Sequence, residues 1–483
     1  LSSNFDAVIV GSGLGGLTCG AFLAKAGQRV LVLESHSKIG GYAHSFKRKQ
    51  YRFESGIHSV AMAPNGLVMH LLRLLDLDRT LQTIPHPSMF GVHTPTLDFS
   101  VPAEAADIRE AFARRFPAER DSLQRLFADM ARFYERMMRP TYNYEDRMDP
   151  EDAVFISQYY NRSYKDYIDG FITDPALRGI FYAQWPFAGS SPDYAPVIFD
   201  VLLFHVHLTE GSHFLKGGFS TLADALAGVI ARAGGEVRTR SRVTRLVAEQ
   251  GAVRFALLET GEEFGAPLFI SNVSPYLLHS TLLDEPARNK VWIRRLARLN
   301  PSLSAVVVYL GLKPGAHDGI PDNIMMAYAS DDHARIFDDI WNNRAVEPQH
   351  LILLKTPGAH EENAAMLLTF VRASLHANWK AGKEAFGRKM LDYAGRLYPE
   401  LPSAIEFVEM GSPSTFDRYT GNTDGALYGF ENTRVLYGEA KLPLRTHIAN
   451  LYQAGHWGKP GGGVWNVMQN GYAAAKTILH SAG

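Results

Sequence analysis

The sequence predicts an α/β fold in which a domain built on a parallel βαβ unit is interleaved with a second domain of mixed sheet and helical cap. Three observations predict it. The run Asp6–Val10 is short, apolar and β-branched and ends on glycine, as a buried parallel strand does. A second run, Arg29–Glu34, follows after one helical stretch, Leu14–Ala26, which stops at Gly27. Near the other end, the apolar Leu451–Ala454 closes on glycine, and the glycine-rich loop Gly455–Gly463 leads into a helix, Val464–Leu479.

The elements between are taken in chain order. Residues Gly40–Ile57 form a loop-rich stretch with an amphipathic ribbon, Phe46–Phe53, and Gly66–Leu77 is helical. Glu104–Arg139 is helical, charged and interrupted by Pro117. Ser163–Tyr182 is helical with a break near Asp174-Pro175. Trp185–Phe214 is rich in aromatics and suited to a helical cap over an apolar cavity, with an ordinary helical core as the alternative. A helix over Thr221–Ala233 precedes a strand pair, Glu236–Thr239 with Val243–Val247, and further strands at Val253–Leu258 and Leu268–Ser271. Ser304–Leu310, Leu351–Thr356 and Ala365–Phe370 read as a second sheet, and Ala385–Tyr398 as a helix. The domains are expected as residues 1–100, 216–285 and 431–483 (cofactor-binding), 101–215 (helical cap) and 286–430 (substrate sheet and helices).

Composition excludes several classes. Lys+Arg is 49 and Asp+Glu is 50, so the charge balance gives no support for a nucleic-acid binder. The single cysteine, Cys19, allows no intrachain disulfide, CxxC pair or cysteine-based zinc site, and no metal site is expected. No run of about 18 apolar residues predicts a transmembrane helix. Ala7–Val10 is a strand rather than a signal peptide, because no basic region precedes it. The expected location is cytoplasmic. The charged stretch Ala113–Arg125 reads as a solvated face, with peripheral contact to anionic lipid as the alternative.

The chemistry sits in the turn Gly11-Ser12-Gly13-Leu14-Gly15-Gly16, a G-x-G-x-x-G between strand and helix with an acid, Glu34, ending the next strand. Gly11 permits the tight turn, Gly13 close approach of a pyrophosphate and Gly16 close packing of helix on strand. The helix start offers N–H groups and a positive dipole end. Glu34 can accept from both ribose hydroxyls and repels a 2′-phosphate, which disfavours NADP. The chain leaves the βα pattern after one unit, carries Gly40-Gly41 soon after the acid, and has a second glycine-rich helix start at Pro460–Val464. These features favour FAD over NAD.

The chain resembles the phytoene desaturase-type flavoproteins: carotenoid desaturases, carotenoid isomerases and retinol saturases. The resemblance is carried by VIVGSGLGGLTCGAFLAKAGQRVLVLE, GGYAHSF, YRFESGIHSV, SYKDYIDGFITDPALRGIF, KGGFSTLADALAGVIARAGGEVRTRSRV, ISNVSP, SPSTFDRYTGNTDGALYG and LYQAGHWGKPGGGVWNVMQNGYAAA, spread over nearly the whole chain. It implies a glutathione-reductase-like fold with FAD. Gly11, Gly13, Leu14, Gly15 and Gly16 would then face the pyrophosphate, and Glu34 with Ser35 the adenosine ribose. Gly40, Gly41, Ser45 and Phe46 would flank the ribityl and phosphate path. Glu54, Ser55, Gly56 and Ile57 would run along the flavin, Val243 would touch adenine through its backbone, Gly455 and His456 would lie near the ribityl chain, and Gly463 and Val464 near the pyrimidine ring.

The implied activity is oxidoreduction at C–C or C=C bonds of an apolar carotenoid-, retinoid- or lipid-like substrate, by hydride transfer at flavin N5, with an unidentified electron acceptor. His58, Arg418, Tyr419 and His456 are the candidates for handling the proton. Arg418 could equally brace its loop through Asp417 or Glu409. The chain departs from many relatives of this type in having His456 where an acid is common, and in Trp457 and Trp465, bulky residues that would narrow the substrate pocket. Two other functions stay open on the residues: a flavin amine oxidase, and a prenyl-binding chaperone of the GDP-dissociation-inhibitor type without flavin.

Overall fold

Five short strands form one parallel sheet, whose three central strands are apolar enough to be covered on both faces. They are β1 (Ala7–Val10), β2 (Val30–Leu33), β3 (Glu236–Arg238), β4 (Leu268–Ser271) and β5 (Leu451–Gln453), in the order β5-β4-β1-β2-β3. Every residue of β1 and β2 is buried. The pairs Ala7↔Val30 and Ala7↔Leu268 set the register on either side of β1. The structure is a computed structural model and describes residues 4–142, 148–316, 319–355, 363–433 and 442–482. Thr356, placed by the sequence at a strand end, lies outside the described residues.

Four helices matter to the site: α1 (Leu14–Lys25), α2 (Val197–Glu210), α3 (Ser220–Arg232) and α4 (Val464–Ala482). Helix α1 packs between α3 and α4, and small residues let it do so. A Cβ on Gly20 would meet Ile230 Cδ1 at 2.9 Å, and one on Gly471 would stand 3.1 Å from the Cys19 backbone nitrogen. Cys19 is fully buried in this seam, and burial pushes its thiol up to about 12. Its role is packing.

The second sheet has seven strands, in the order Ile405–Gly411, Ser304–Leu312, Ala364–Val371, His350–Lys355, Met325–Tyr328, Ser88–His93 and Asp98–Pro102. All neighbours are antiparallel except Met325–Tyr328 with Ser88–His93. Residues 88–93, assigned from sequence to the first cofactor-binding segment, join this sheet. One face, with Leu351, Leu353 and Leu367, is covered by the helix Trp379–Leu397. That helix starts earlier than the sequence suggests because Asn378 accepts from the backbone N–H groups of Lys380 and Ala381. The other face turns toward the helical cap.

The cap contains the helices Ala105–Arg115, Arg120–Tyr142, Pro150–Ser157, Tyr164–Asp169, Pro175–Tyr182, Trp185–Ala188 and α2. The break expected near Asp174-Pro175 is a helix start: the Asp174 carboxylate accepts from Ala176 N and Leu177 N, and Pro175 takes the first turn. No described helix is long and apolar enough to cross a membrane.

One expected pairing is corrected. Glu236–Thr239 does not pair with Val243–Val247. Glu236–Arg238 lies parallel to β2, while Val243–Glu249 opens a separate three-stranded sheet with Ala252–Leu258 and Glu263–Gly265. Arg240, at φ 52°, turns the chain between them. Arg240 N–H and Ser241 N–H donate to His36 O and Glu34 O, so the turn is tied to the segment after β2.

Candidate active site

The glycine turn between β1 and α1 opens one end of a cavity that is partly open to solvent. Gly11 has φ +95°, a conformation that side-chain-bearing residues rarely adopt, so the sharp turn needs glycine. The remaining glycines of the turn are required by close approach. A Cβ on Gly16 would sit 2.6 Å from Gly11 O, as tight packing of helix on turn demands. On Gly13 it would first meet the Asn272 carboxamide, at 2.5 Å. Asn272, just past β4, also accepts from Gly16 N at 3.0 Å. It ties the middle of the chain to the turn and was not singled out from sequence.

Glu34 ends β2 and is nearly buried. One carboxylate oxygen accepts from Ser12 N at 2.8 Å and Ser12 Oγ at 2.6 Å; the other accepts from His36 N at 2.7 Å. That second oxygen also accepts from Ser35 Oγ at 3.3 Å, and the carboxylate lines the cavity. Gly13 caps α1 with no side-chain hydrogen bond and Gly16 N is taken by Asn272, so the N–H groups of Leu14 and Gly15 are left for a ligand. The opposite wall is the segment after β5: Gly455 (φ +105°), His456, Gly462, Gly463 and Val464. It is braced from α4 by Asn470, which accepts from Gly455 N at 2.7 Å and donates to Lys459 O at 2.6 Å. A carboxylate, a free helix start and two glycine-rich walls, drawn from both ends of the chain, fit an extended dinucleotide such as FAD.

Beyond this cradle the cavity continues into an apolar chamber. Phe199, Leu203 and His207 line it from one face of α2, at the four-residue spacing that stacks side chains on a helix. Ile352, Leu368 and Phe370 line it from the inner face of the seven-stranded sheet, where Ile352 pairs with Leu368. Phe187, Tyr428, Ile57 and His58 close it. The only Asp, Glu, Lys or Arg on the described lining are Glu34 and Lys38, both in the segment that follows β2. Desolvation holds His58 down to about 4 and lowers His207, so the chamber carries no fixed charge at neutral pH.

Of the residues proposed from sequence, Gly11, Gly13, Leu14, Gly15, Glu34, Ser35, Gly40, Gly41, Gly56, Ile57, His58, Tyr419, Gly455, His456, Gly463 and Val464 line this one cavity. Gly16 lies behind the turn. Ser45 and Phe46 are in the hairpin Ser45–Arg48/Tyr51–Glu54, where Ser45 Oγ donates to Glu54 Oε1 at 2.7 Å and Phe46 packs edge-on against Tyr309. Ser55 Oγ donates to Tyr42 O. Val243 is buried in the three-stranded sheet. Gly16, Ser45, Phe46, Glu54, Ser55 and Val243 are not on the cavity lining.

The proton candidates separate. His456 is in the cavity wall with Nε2 buried and unpartnered, and burial holds it down to about 4. Arg418 is exposed, off the cavity, with its guanidinium over the Tyr419 ring. Glu409 pairs with Arg48 rather than with Arg418. Trp465 lines the cavity, whereas Trp457 does not: its Nε1 donates to Asn422 Oδ1 at 3.0 Å and its ring packs edge-on against Phe430 and Tyr276. The expected narrowing by Trp457 is therefore corrected. The chamber residues Leu203, His207, Ile352, Leu368 and Phe370 were not found from sequence, because an apolar side chain facing a cavity has the same pattern as one facing a core.

A family model described as flavin containing amine oxidoreductase matches residues 14–479. All-trans-retinol 13,14-reductase of Danio rerio is 24% identical over 522 residues, covering 98% of this chain and 84% of that one. Prolycopene isomerase 1, chloroplastic, of an Oncidium hybrid cultivar is 24% identical over 512 residues, covering 100% of this chain and 85% of that one. Among solved structures, an oxidoreductase from Methanosarcina mazei superposes with a TM-score of 0.66 at 16% identity, covering 98% of this chain and 99% of that one. Putrescine oxidase bound to putrescine superposes with a TM-score of 0.65 at 14% identity, covering 99% of both chains.

Proposed function

The chain belongs to the family of flavin-containing amine oxidoreductases, and we propose that within it the chain acts on a carbon–carbon bond of an apolar, retinoid- or carotenoid-like substrate. The cofactor is FAD, which when bound supplies the two-electron redox chemistry. The single observation that carries the substrate reading is the charge-free chamber continuous with the cradle. Burying an ammonium group there without a counter-charge is unfavourable, whereas a polyene gains by leaving water. The relatives that cover nearly the whole chain, a retinol reductase and a prolycopene isomerase, support the same class.

In this reading the residues divide the work. Gly13, Glu34 and the start of α1 bind the nucleotide end. The segment Gly455–Val464 holds the far end of the cofactor. Phe187, Leu203, Ile352, Leu368 and Phe370 exclude water and align the substrate. His58 and His456 are the neutral bases at hand for a proton. Peripheral contact with lipid through Ala113–Arg125 accompanies the proposal, since apolar substrates partition into membranes, and sedimentation with anionic vesicles checks it.

The deciding experiment incubates the FAD-loaded protein, oxidised and pre-reduced, with all-trans-retinol, prolycopene and putrescine, with product analysis by chromatography. Conversion of an apolar substrate without peroxide from the amine supports the reading. Peroxide release with putrescine and no change in either polyene replaces it with an amine oxidase.

A further inference from the structure

The floor of the chamber continues past the point where the chamber stops. Ile352 and Leu368, paired across the strands His350–Lys355 and Ala364–Val371, line the chamber. The next pair on the same face, Leu354 with Met366, lines a second, smaller cavity. Two residues of strand, about 7 Å, separate the pairs. The same strand gives the direction. Phe370 stacks on Tyr428 at 6.2 Å, and a Cβ on Gly462 would stand 2.7 Å from Tyr428 Cδ1, so the Phe370 end is the cradle end. From Phe370 through Leu368 to Met366 the floor runs away from the cradle.

His58 is the one described residue on both linings, and it divides the two cavities. The segment that carries it forms the roof of both: Gly56 and Ile57 over the chamber, Phe53 and Glu54 over the second cavity. That segment is held in place. Tyr309 Oη donates to Ser55 O at 2.9 Å, and His86 Nε2 donates to His58 O at 3.3 Å. The Phe187 ring lies 5.9 Å from the His58 ring on the chamber side.

The two sides of His58 differ in charge. The chamber side has none. On the far side are Glu54, which accepts from Ser45 Oγ at 2.7 Å and Phe219 N at 3.0 Å, and Lys355, paired with Asp322 at 2.6 Å. An apolar chain gains nothing by crossing from a charge-free lining to a charged one. The ring itself offers one polar atom. A carbonyl only accepts, so Nδ1, 3.4 Å from Gly56 O, carries the hydrogen and Nε2 is an acceptor. Among the described residues Nε2 has no hydrogen-bond partner, and it is not among the unpartnered atoms sealed from solvent, so it is open to a ligand.

We propose that His58 is the end stop of the substrate chamber and binds the substrate's terminus, accepting at Nε2 the hydrogen of a terminal hydroxyl. The proposal rests on the carbon–carbon reading of the site and narrows its substrate to an apolar chain that ends in an alcohol. A hydrocarbon of equal length leaves Nε2 desolvated and unpaired, which is how a site built for a hydroxyl rejects the analogue without one. His58 is then a specificity residue, and of the two neutral bases the one left for the proton is His456.

The test measures binding of primary alcohols from octanol to hexadecanol, and of their methyl ethers, to the FAD-loaded protein by perturbation of the flavin spectrum. In the wild type, affinity should rise roughly threefold per methylene and then level off where the chain reaches His58. Alcohols should bind roughly 3- to 10-fold tighter than the ethers. His58→Phe keeps the wall without the acceptor: the levelling stays and the alcohol preference goes. His58→Ala opens the wall, and hexadecanol should bind roughly tenfold tighter than to the wild type. Met366→Trp, which fills the second cavity, should cancel that gain and change nothing in the wild type. An alcohol preference that survives His58→Phe, or a hexadecanol gain that survives Met366→Trp, overturns the proposal. A second measurement needs no substitution: in ¹⁵N-histidine spectra of the wild type, the Nε2 resonance of His58 should move with dodecanol and stay with its methyl ether. A resonance that ignores both overturns the assignment. If the wild type converts no polyene yet binds the alcohols as stated, the carbon–carbon reading fails and the role of His58 stands.

Discussion

A Cβ on Gly15 would stand 2.6 Å from the Cα of Gly455, so helix α1 and the loop after β5 touch backbone to backbone. Neither side of that contact can retreat, because Gly455 is also held by Asn470. Gly15→Ala should therefore force the two walls of the cradle apart, at a cost of about 1–3 kcal/mol. The expected outcome is a lower flavin-to-protein ratio on purification together with a lower melting temperature. Unchanged flavin content would show that the walls can separate without harm.

Asn470→Ala removes both bonds to the loop and leaves Gly455 N and Lys459 O without their partner. The loss expected is about 1–3 kcal/mol for the buried Gly455 N, whereas Lys459 is exposed and its carbonyl can turn to water. Chemical denaturation should show reduced stability, and FAD should dissociate faster on dilution.

Glu34→Ala should weaken FAD binding by roughly 10- to 100-fold, the scale of a hydrogen-bonded charged group. Ser12 N and His36 N lose their acceptor in the same change, which loosens the turn as well. Titration of the apoprotein with FAD, followed by flavin fluorescence, measures the effect. Activity on the polyene should return when FAD is saturating.

Leu203→Asp places a carboxylate in the chamber and leaves the cradle untouched. Retinol affinity should fall by about tenfold or more above pH 8, where the new group is ionised, and recover partly in acid. Flavin content should stay at the wild-type level. Equal loss of both would mean that the substitution disrupts the cap.

Stability should fall on acidification from pH 7 to 5. Burial holds His58, His86, His205, His279, His333 and His456 down to about 4 and His350 to about 3. Between those values and the unfolded value of about 6.5, the unfolded chain binds more protons, so unfolding free energy rises with pH. Glu210, raised to about 7 by burial, and Asp200, also raised, act in the opposite direction. Seven histidines outweigh these two acids, and the melting temperature should drop by on the order of 5 °C or more. A flat profile from pH 7 to 5 would contradict the burial of the histidines.

The nucleotide end of the site is legible in the sequence because its parts are contiguous: strand, turn, helix and acid lie within Ala7–Glu34. The segment Gly455–Val464 is legible for the same reason, as a glycine-rich helix start. Asn272 is not, because a single asparagine after a short strand acquires meaning only when β4 falls beside β1. The chamber is hidden for a different reason. Phe199 and Leu203 repeat at helical spacing and Leu368 and Phe370 at strand spacing, and periodicity tells that a face is buried without telling whether protein or ligand covers it. Trp457 shows the converse, since neighbours in a motif need not share an environment: His456 faces the cavity, and the next ring packs on Phe430.

The contact of Gly15 with Gly455 also orders events during synthesis. The glycine turn and Glu34 leave the ribosome before the parts they pack against, and Asn272, 256 residues beyond Gly16, follows much later. The second wall is translated later still, since Gly455 lies 440 residues beyond Gly15. Until then the nascent chain carries half a cradle and an uncovered apolar chamber, a state prone to aggregation. Flavin supply should then govern how much folded protein a cell accumulates, with FAD capturing the chain only once the segment from Gly455 to Val464 has docked.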